Sequence, residues 1–207
     1  MFITFEGVEG AGKSTQARRL RDHLAAQGQR VLLVEEPGGT SLGRRLREIV
    51  KHAQTVILEP RAEVLLFLAS RAQLVEEVIR PALSADVIVL CDRFADSTYA
   101  YQCFGRGLEL SSVRQANSFA VAGLAPDLTI LLDLPPECGL LRKHSQEPAA
   151  WDRFEQEGVD FHRRVRDGYL ELASQEPHRW FVVDACQPPR PVEDLIVARV
   201  QAALHSS

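Results

Sequence analysis

"MFITFEGVEGAGKST", residues 1–15, is the most informative stretch of this chain. The apolar run at residues 2–5 predicts a buried β-strand, and the apolar positions 17, 20 and 24 that follow have the spacing of an α-helix. Between them, residues 7–14 match the pattern G-x-x-x-x-G-K-[ST]. A loop of this composition between a strand and a helix is typical of phosphate-binding loops. The stretch therefore predicts that the chain binds the phosphates of a nucleotide.

The residue types in this loop suit that task. Gly7, Gly10 and Gly12 allow a tight turn in which successive N–H groups converge on an anion, and the helix N-terminus adds a favourable dipole. Lys13 is expected to bridge the β- and γ-phosphates, and the Ser14 hydroxyl is expected to bind Mg²⁺. The predicted nucleotide-binding residues are Gly7, Val8, Glu9, Gly10, Ala11, Gly12, Lys13, Ser14 and Thr15.

Four further apolar runs indicate the rest of the sheet, at residues 31–34, 87–90, 128–132 and 180–183. Because they do not alternate with polar residues, they predict strands buried on both faces. Helical spacing between the runs implies right-handed crossovers and a parallel sheet. We therefore predict a three-layer α/β P-loop NTPase fold, with a five-stranded parallel sheet and helices on both faces, as one domain over residues 1–207. Residues 143–153 are expected to form a mobile surface loop.

Composition limits the partners and the compartment. The chain has 207 residues and a net charge of −4, which gives no broad attraction for nucleic acid. The four cysteines lack CxxC spacing, and no stretch approaches the roughly 20 apolar residues of a membrane span. The amino terminus also lacks the basic start of a signal peptide. We expect a cytoplasmic protein with no nucleic-acid or membrane partner.

Asp92 ends the apolar run "VIVLCD" and fits a Walker B role, in which it holds Mg²⁺ directly or through water. The alternative is that Asp92 only caps the following helix.

The loop class divides into nucleotide switches and phosphotransferases, and the sequence favours the latter. A GTPase switch should contain D-x-x-G and N-K-x-D motifs, yet no glycine here follows an aspartate by three residues and no Asn-Lys pair occurs. A small-molecule kinase is therefore favoured.

A predicted helix from Pro60 to Leu83 carries a first candidate acceptor site. Phe67 and Arg71 lie on one apolar stripe with Leu74 and Val78. Phe67 could stack on a base to which Arg71 donates a hydrogen bond. The alternative is a core phenylalanine beside an arginine that reaches solvent or pairs with Glu63.

The segment "DRFADSTYAYQ", residues 92–102, carries a second candidate site. It places Arg93, Ser97, Tyr101 and Gln102 past the carboxyl end of a strand, where open parallel sheets bind ligands. The alternative is that these are polar surface residues at a helix N-terminus.

Taken together, these motifs resemble the bacterial thymidylate kinase family over essentially the whole chain. The resemblance is carried by "FEGVEGAGKST", "EPGGT" (36–40), "LLFLASRAQL" (65–74), "DRFADSTYAYQ", "GRG" (105–107), "APDLTILLDLP" (125–135) and "DRFEQE" (152–157). It implies a homodimer that transfers the γ-phosphate of MgATP to dTMP, giving dTDP.

The resemblance also implies roles for individual residues. Arg47, within the arginine-rich "GRRLRE", could without it be only part of a solvated helix face. The implied dTMP contacts are Phe67 stacking on thymine, Arg71 donating to a base carbonyl, Ser97, Thr98 and Gln102 completing the base contacts, Tyr101 crowding the 2′ position, Arg47 and Arg93 holding the acceptor phosphate, and Glu9 near the 3′-hydroxyl.

The chemistry needs positive charge rather than a general base, because a monophosphate is already largely deprotonated at neutral pH. Lys13, Arg93 and a lid arginine would supply it. Residues 8–11 contain no arginine, so the resemblance points to a lid at about residues 142–153. Arg142 and Arg153 are the candidates, with Lys143 less favoured, and we predict that Arg153 acts.

Two neighbouring glutamates do not fit this interpretation simply: Glu35 differs from the family pattern, and Glu36 is compatible with a different function. Glu35 stands where the bacterial family usually has arginine, and an inward-pointing carboxylate would weaken binding of an anionic acceptor. Glu36 sustains an alternative, a deoxynucleoside kinase in which it deprotonates a 5′-hydroxyl. Against that alternative, this chain has D-R-F where such kinases have Glu-Arg-Ser. A non-enzymatic nucleotide sensor is a further alternative.

Overall fold

The computed structural model of the chain describes residues 1–52, 58–146 and 153–205. The strands are β1 (Phe2–Glu6), β2 (Val31–Glu35), β3 (Ile88–Asp92), β4 (Leu128–Asp133) and β5 (Trp180–Asp184). The α-helices of the described residues are α1 (Lys13–Ala26), α2 (Ser41–His52), α3 (Pro60–Leu74), α4 (Arg80–Ser84), α5 (Ala95–Thr98), α6 (Leu110–Val121), α7 (Pro136–Gln146), α8 (Val159–Gln175) and α9 (Pro189–Leu204).

The five strands form one parallel sheet in the order β2-β3-β1-β4-β5, as predicted. The central strand β1 leads directly into the phosphate loop. Phe5 on β1 lies opposite Asp92 on β3, and Asp92 lies opposite Glu35 on β2. The carboxyl ends of three neighbouring strands therefore meet beside the loop.

Both faces of the sheet are covered by helices. Ile3 and Phe5 of β1 pack into one cluster with Leu20 of α1, whereas Phe2 packs into another with Leu74 of α3. All five residues of β1 are buried, which explains why its sequence does not alternate with polar residues. The predicted three-layer arrangement is confirmed.

The helix predicted over residues 60–83 is one continuous helical segment with a widened turn. A π-helical stretch, Val75–Ile79, joins α3 to α4. Pro81 follows this stretch and has no N–H with which to continue the α-helical hydrogen-bond ladder. A second π-helical stretch, Tyr99–Gly105, follows α5.

The loop predicted at residues 143–153 is wrong for its first part, because α7 continues to Gln146. This helix has Pro136 and Glu137 in its first turn and Lys143 and His144 in its last, all of which suit its dipole. Residues 147–152 of the predicted lid lie outside the described residues. No helix in the described part of the chain has the length and apolar character needed to cross a membrane.

Candidate active site

The phosphate loop adopts a conformation that needs its glycines. Gly10 and Gly12 have φ angles of 69° and 92°, in the left-handed region. A Cβ atom at Gly10 would lie 2.1 Å from the carbonyl oxygen of Gly139 on α7. Lys13 begins α1, and its ammonium group folds back over the loop, donating to the carbonyls of Gly7 at 3.0 Å and Val8 at 2.7 Å.

Burial makes the Lys13 ammonium unusually acidic. Its pKa falls from the usual 10.5 to about 8, first because burial disfavours the charged form and then because of the nearby Arg93 guanidinium. Negative groups around it, led by Glu9, oppose this shift. Without a bound phosphate, Lys13 is therefore poised to lose its proton just above neutral pH.

Ser14 and Asp92 lie together, as a magnesium site requires. The Ser14 hydroxyl donates to Asp92 Oδ2, which joins the start of α1 to the end of β3. The alternative role of Asp92 as a helix cap is wrong, because α5 begins at Ala95 with Phe94 as its N-cap. Among the described residues no cluster of three or more His, Cys, Asp or Glu side chains could hold a metal. Any Mg²⁺ here would complete its coordination with phosphate oxygens and water.

A cavity of about 250 Å³ opens beside the loop. It lies between the loop, the ends of β2 and β3, α3, and the segment from α5 through the second π-helical stretch. Every predicted dTMP contact lines it, namely Glu9, Arg47, Phe67, Arg71, Arg93, Ser97, Thr98, Tyr101 and Gln102. The same cavity is also lined by residues of the predicted nucleotide and magnesium sites, namely Gly10, Lys13, Ser14 and Asp92. The predicted sites for ATP and for dTMP are therefore continuous.

Arg71 is fully buried and held on several sides. It pairs with Glu36, and donates to Asn117 Oδ1 at 2.7 Å and Thr98 Oγ1 at 2.9 Å. The alternative in which Arg71 reaches solvent or pairs with Glu63 is wrong. Its Nε has no acceptor among the described residues.

Glu36, the base of the alternative deoxynucleoside kinase, is buried with Arg71. Burial raises the pKa of Glu36 above its usual value, and the Arg71 guanidinium opposes that rise. The carboxylate thus serves as the ionic partner of Arg71.

Glu9, Arg93 and Tyr101 form a second polar group. Arg93 Nη2 lies 3.0 Å from Glu9 Oε1, and the Tyr101 hydroxyl donates to the Glu9 carboxylate at 2.6 Å. Burial alone would raise the pKa of Glu9, but the Arg93 guanidinium holds it well below its usual range. Arg93 has a φ of 70°, an uncommon conformation for a non-glycine residue, at the end of β3.

Most of the other residues of the segment 92–102 are buried rather than ordinary surface residues. Thr98, Tyr101 and Gln102 are 2%, 5% and 1% exposed, which overturns the surface interpretation. The Ser97 hydroxyl donates to Glu6 Oε2 at 2.5 Å and accepts from Arg93 at 3.1 Å. These bonds give Ser97 a supporting role toward Arg93, and its contact with a base stays a prediction.

Sequence reasoning missed three residues behind this group. Glu6 accepts hydrogen bonds from Phe94 N and from the Tyr169 hydroxyl, at 2.8 and 2.9 Å. Burial, and then the charge of Asp96, raises the pKa of Glu6 to about 7. His162 Nδ1 lies 3.3 Å from Glu9 Oε2 but is poorly aligned for a hydrogen bond. A glutamate ending an apolar strand was a visible signal, whereas Tyr169 and His162 lie in no motif.

Arg47 does not extend into solvent from a helix face. It donates to the carbonyl of Pro37 at 2.7 Å and lies 3.4 Å from Glu35 Oε2, with 28% of its side chain exposed. Glu35, 55% exposed, also lines the cavity. The unusual glutamate is therefore directed at a predicted phosphate ligand.

Neither of the two lid arginines lines the cavity, although Arg153 lies next to it, with its guanidinium 5.3 Å from the Phe154 ring. Arg142 donates to the carbonyl of Ala185 at 3.0 Å. Arg153 donates to the carbonyl of Val50 at 3.2 Å and pairs with Glu63. Lys143 does line the cavity and lies 3.6 Å from Glu155. Which arginine reaches the γ-phosphate stays a prediction.

Comparison with known proteins identifies the family of this chain. The thymidylate kinase family model matches residues 5–196. A thymidylate kinase of Desulfovibrio desulfuricans is 54% identical over 197 residues, covering 93% of this chain and 91% of that protein. One from Trichlorobacter lovleyi is 50% identical and covers 99% and 98%. The crystal structure of an Ehrlichia chaffeensis thymidylate kinase superposes with a TM-score of 0.77 at 32% identity, covering 97% and 98%. The resemblance drawn from the motifs is thus confirmed: this chain belongs to the thymidylate kinase family.

Proposed function

We propose that the chain transfers the γ-phosphate of ATP to dTMP, giving dTDP. One observation carries this proposal: a single continuous cavity is lined both by Phe67 and Arg71 and by residues of the phosphate loop. A monophosphate bound there would direct its phosphate toward the γ-phosphate of a nucleotide on Lys13.

The cavity provides what a thymine nucleotide requires. Phe67, packed 6.1 Å from the Phe154 ring, offers an aromatic face for stacking. Arg71 offers a donor for a base carbonyl, since a guanidinium has no acceptor. Tyr101, which is fixed by Glu9 and Arg93, would crowd a 2′-hydroxyl. We propose these three as the principal nucleoside contacts, with Ser97, Thr98 and Gln102 completing the base site.

Transfer then depends on position and charge. Arg47 and Arg93 would hold the acceptor phosphate, which needs no general base because its second pKa is near 6. Lys13 and Arg153 would neutralise charge on the γ-phosphate oxygens as the group moves. Holding two anions in line offsets their repulsion and the entropy of bringing them together.

Magnesium fits the oxygen donors of Ser14 and Asp92, which already contact each other. When bound there, the ion would supply positive charge to the β- and γ-phosphate oxygens. We propose Mg²⁺ as the cofactor, held by Ser14 and by Asp92 directly or through water.

The alternative function, a deoxynucleoside kinase, is not favoured. The chain belongs to the thymidylate kinase family, and the Glu36 carboxylate forms a buried ion pair with Arg71. Labelled ATP separates the two reactions. With γ-labelled MgATP, the proposal predicts labelled dTDP when dTMP is supplied and little product from thymidine. Preferential formation of labelled dTMP from thymidine would overturn it. ATP hydrolysis unaffected by any acceptor would instead favour a nucleotide sensor or ATPase.

We also propose that the protein is a homodimer of the cytoplasm. Leu65 on α3 and Phe119 on α6 are 62% and 90% exposed, on helices that pack together, which supports an apolar contact with a second copy. All four cysteines are unpaired, in keeping with a reducing compartment. Sedimentation velocity tests the dimer, since a species of the 23.1 kDa monomer mass alone would contradict it.

A further inference from the structure

Glu63 is a buried carboxylate that the proposed reaction does not itself use. It lies in the first turn of α3 with none of its surface exposed. Gln102 Nε2 donates to its Oε1 at 2.7 Å, and Arg106 Nε donates to the same oxygen at 3.2 Å. Arg153 pairs with the other oxygen. A carboxylate placed in this way has to receive donors, because a buried charge without them is costly.

This contact fixes which end of the Gln102 amide faces the cavity. An ionised carboxylate accepts hydrogen bonds and donates none, so the NH₂ end of Gln102 must point at Glu63. The carbonyl end then points the other way. Gln102 lines the cavity, and within the described part of the chain the hydrogen bond recorded for its side chain is the one that Nε2 donates to Glu63. The base site thus presents a fixed acceptor from Gln102 and a fixed donor from Arg71.

We propose that Glu63 is a positioning residue for base specificity, acting through Gln102 to select pyrimidines that carry a hydrogen on N3. Thymine and uracil offer an N3–H donor and an O4 acceptor, which complement Gln102 Oε1 and Arg71. Cytosine has an acceptor at N3 and a donor at position 4, so both contacts would be mismatched. This inference rests on the proposed function, because it assigns the chemistry of the same acceptor site.

Without Glu63, the amide of Gln102 could rotate to suit either base. In the protein as it stands, rotation would place the Gln102 carbonyl against a buried carboxylate, leaving two acceptors facing each other. A site with fixed donors and acceptors rejects a mismatched base more strongly than an adaptable one. Glu63 therefore contributes to discrimination without touching the substrate.

The test compares kcat/KM for dTMP and dCMP in the wild-type enzyme and in Glu63→Gln. The neutral amide at position 63 can face Gln102 with either end, so we expect the dTMP to dCMP ratio to fall at least about tenfold. Loss of the Arg153 pairing would change kcat for both acceptors alike and leave the ratio unchanged. Glu157→Gln is the matched control: it removes a carboxylate 2.6 Å from Arg106 in the same network but does not contact Gln102, and we expect it to retain the wild-type ratio.

A second variant separates positioning from a general structural effect. Gln102→Leu should lower the same ratio, and Glu63→Gln added to Gln102→Leu should lower it no further. An unchanged ratio in folded Glu63→Gln would overturn the inference, as would an additive effect in the double variant. If Glu63→Gln does not fold, an unchanged ratio in Gln102→Leu overturns it. Failure of the wild-type enzyme to phosphorylate dTMP would instead overturn the proposed function.

Discussion

Glu35 Oε2 lies 3.4 Å from Arg47 Nη1, and both side chains line the cavity that we assign to dTMP. The carboxylate offsets part of the positive charge with which Arg47 would bind the acceptor phosphate. The site is therefore less electropositive than the family pattern, with arginine at this position, implies.

Removing that carboxylate should strengthen acceptor binding. Glu35→Ala is expected to lower KM for dTMP about two- to fivefold with little change in kcat, a small effect because the pair is partly exposed to solvent. Glu35→Arg should lower KM further, and added salt should reduce both effects. Glu76→Ala, which removes a carboxylate paired with Arg80 on the surface, is the control. If Glu35→Arg has the wild-type KM, the departure is only a surface variation.

The lid arginine should act on the transition state rather than on dTMP binding. We expect Arg153→Ala to lower kcat on the order of 100-fold with little change in KM for dTMP, because the charge is needed as the γ-phosphoryl group moves. Steady-state kinetics with varied dTMP at saturating MgATP measure both constants. Should kcat hold in Arg153→Ala and fall in Arg142→Ala, the role belongs to Arg142.

Nucleotide affinity should depend on pH through Lys13. The pKa of Lys13 in the free enzyme is about 8, so the ammonium is mostly charged at pH 7 and mostly neutral at pH 9. A bound triphosphate favours the charged form of Lys13. The affinity for ATP is therefore highest below the Lys13 pKa of the free enzyme, and it falls as the pH rises through that pKa. We expect the Kd for ATP to rise about tenfold between pH 7 and 9, as measured by calorimetry. Lys13→Met should bind weakly at both pH values, and an equal pH dependence in this variant would assign the effect to another group.

Glu6 should make the fold less stable at neutral pH than in mild acid. Its pKa is about 7 in the folded protein, against 4.5 for an ordinary glutamate. Between these values the unfolded chain has released a proton that the folded chain still binds, so the free energy of unfolding falls as pH rises. The loss is on the order of 3 kcal/mol when complete. Urea unfolding at pH 5 and pH 8 should show this fall in the wild-type protein and a smaller one in Glu6→Gln. A difference of equal size in both would show that Glu6 is not its source.

Much of this architecture could be predicted from local pattern. The strand, glycine loop and helix of residues 1–26 are contiguous, and their apolar spacing is visible without tertiary information. Phe67 and Arg71 lie one turn apart on a helix, so their common face was also predictable.

The partnerships that tune the site depend on distant residues. Arg71 pairs with Glu36, 35 positions away, and Glu6 bonds Tyr169, 163 positions away, so no sequence window contains both partners. The widened turn at Val75–Ile79 is a feature of backbone hydrogen bonding, which the spacing of apolar residues does not reveal. The pairing of Glu35 with Arg47 likewise depends on how the turn between β2 and α2 brings the two side chains together.

The most direct test of the account is calorimetric binding of dTMP to the wild-type protein and to two variants of α3. Phe67→Ala removes the proposed stacking face. Gln73→Ala removes a half-buried side chain whose hydrogen bond to Glu77 lies at the surface. Stacking of a base on an aromatic ring contributes about 1–3 kcal/mol, so we expect one dTMP per chain and binding about 5- to 150-fold weaker in Phe67→Ala. Gln73→Ala should bind like the wild type. Equal affinity in all three proteins, or no binding of dTMP to the wild type, would contradict the assignment of this cavity to the acceptor nucleotide.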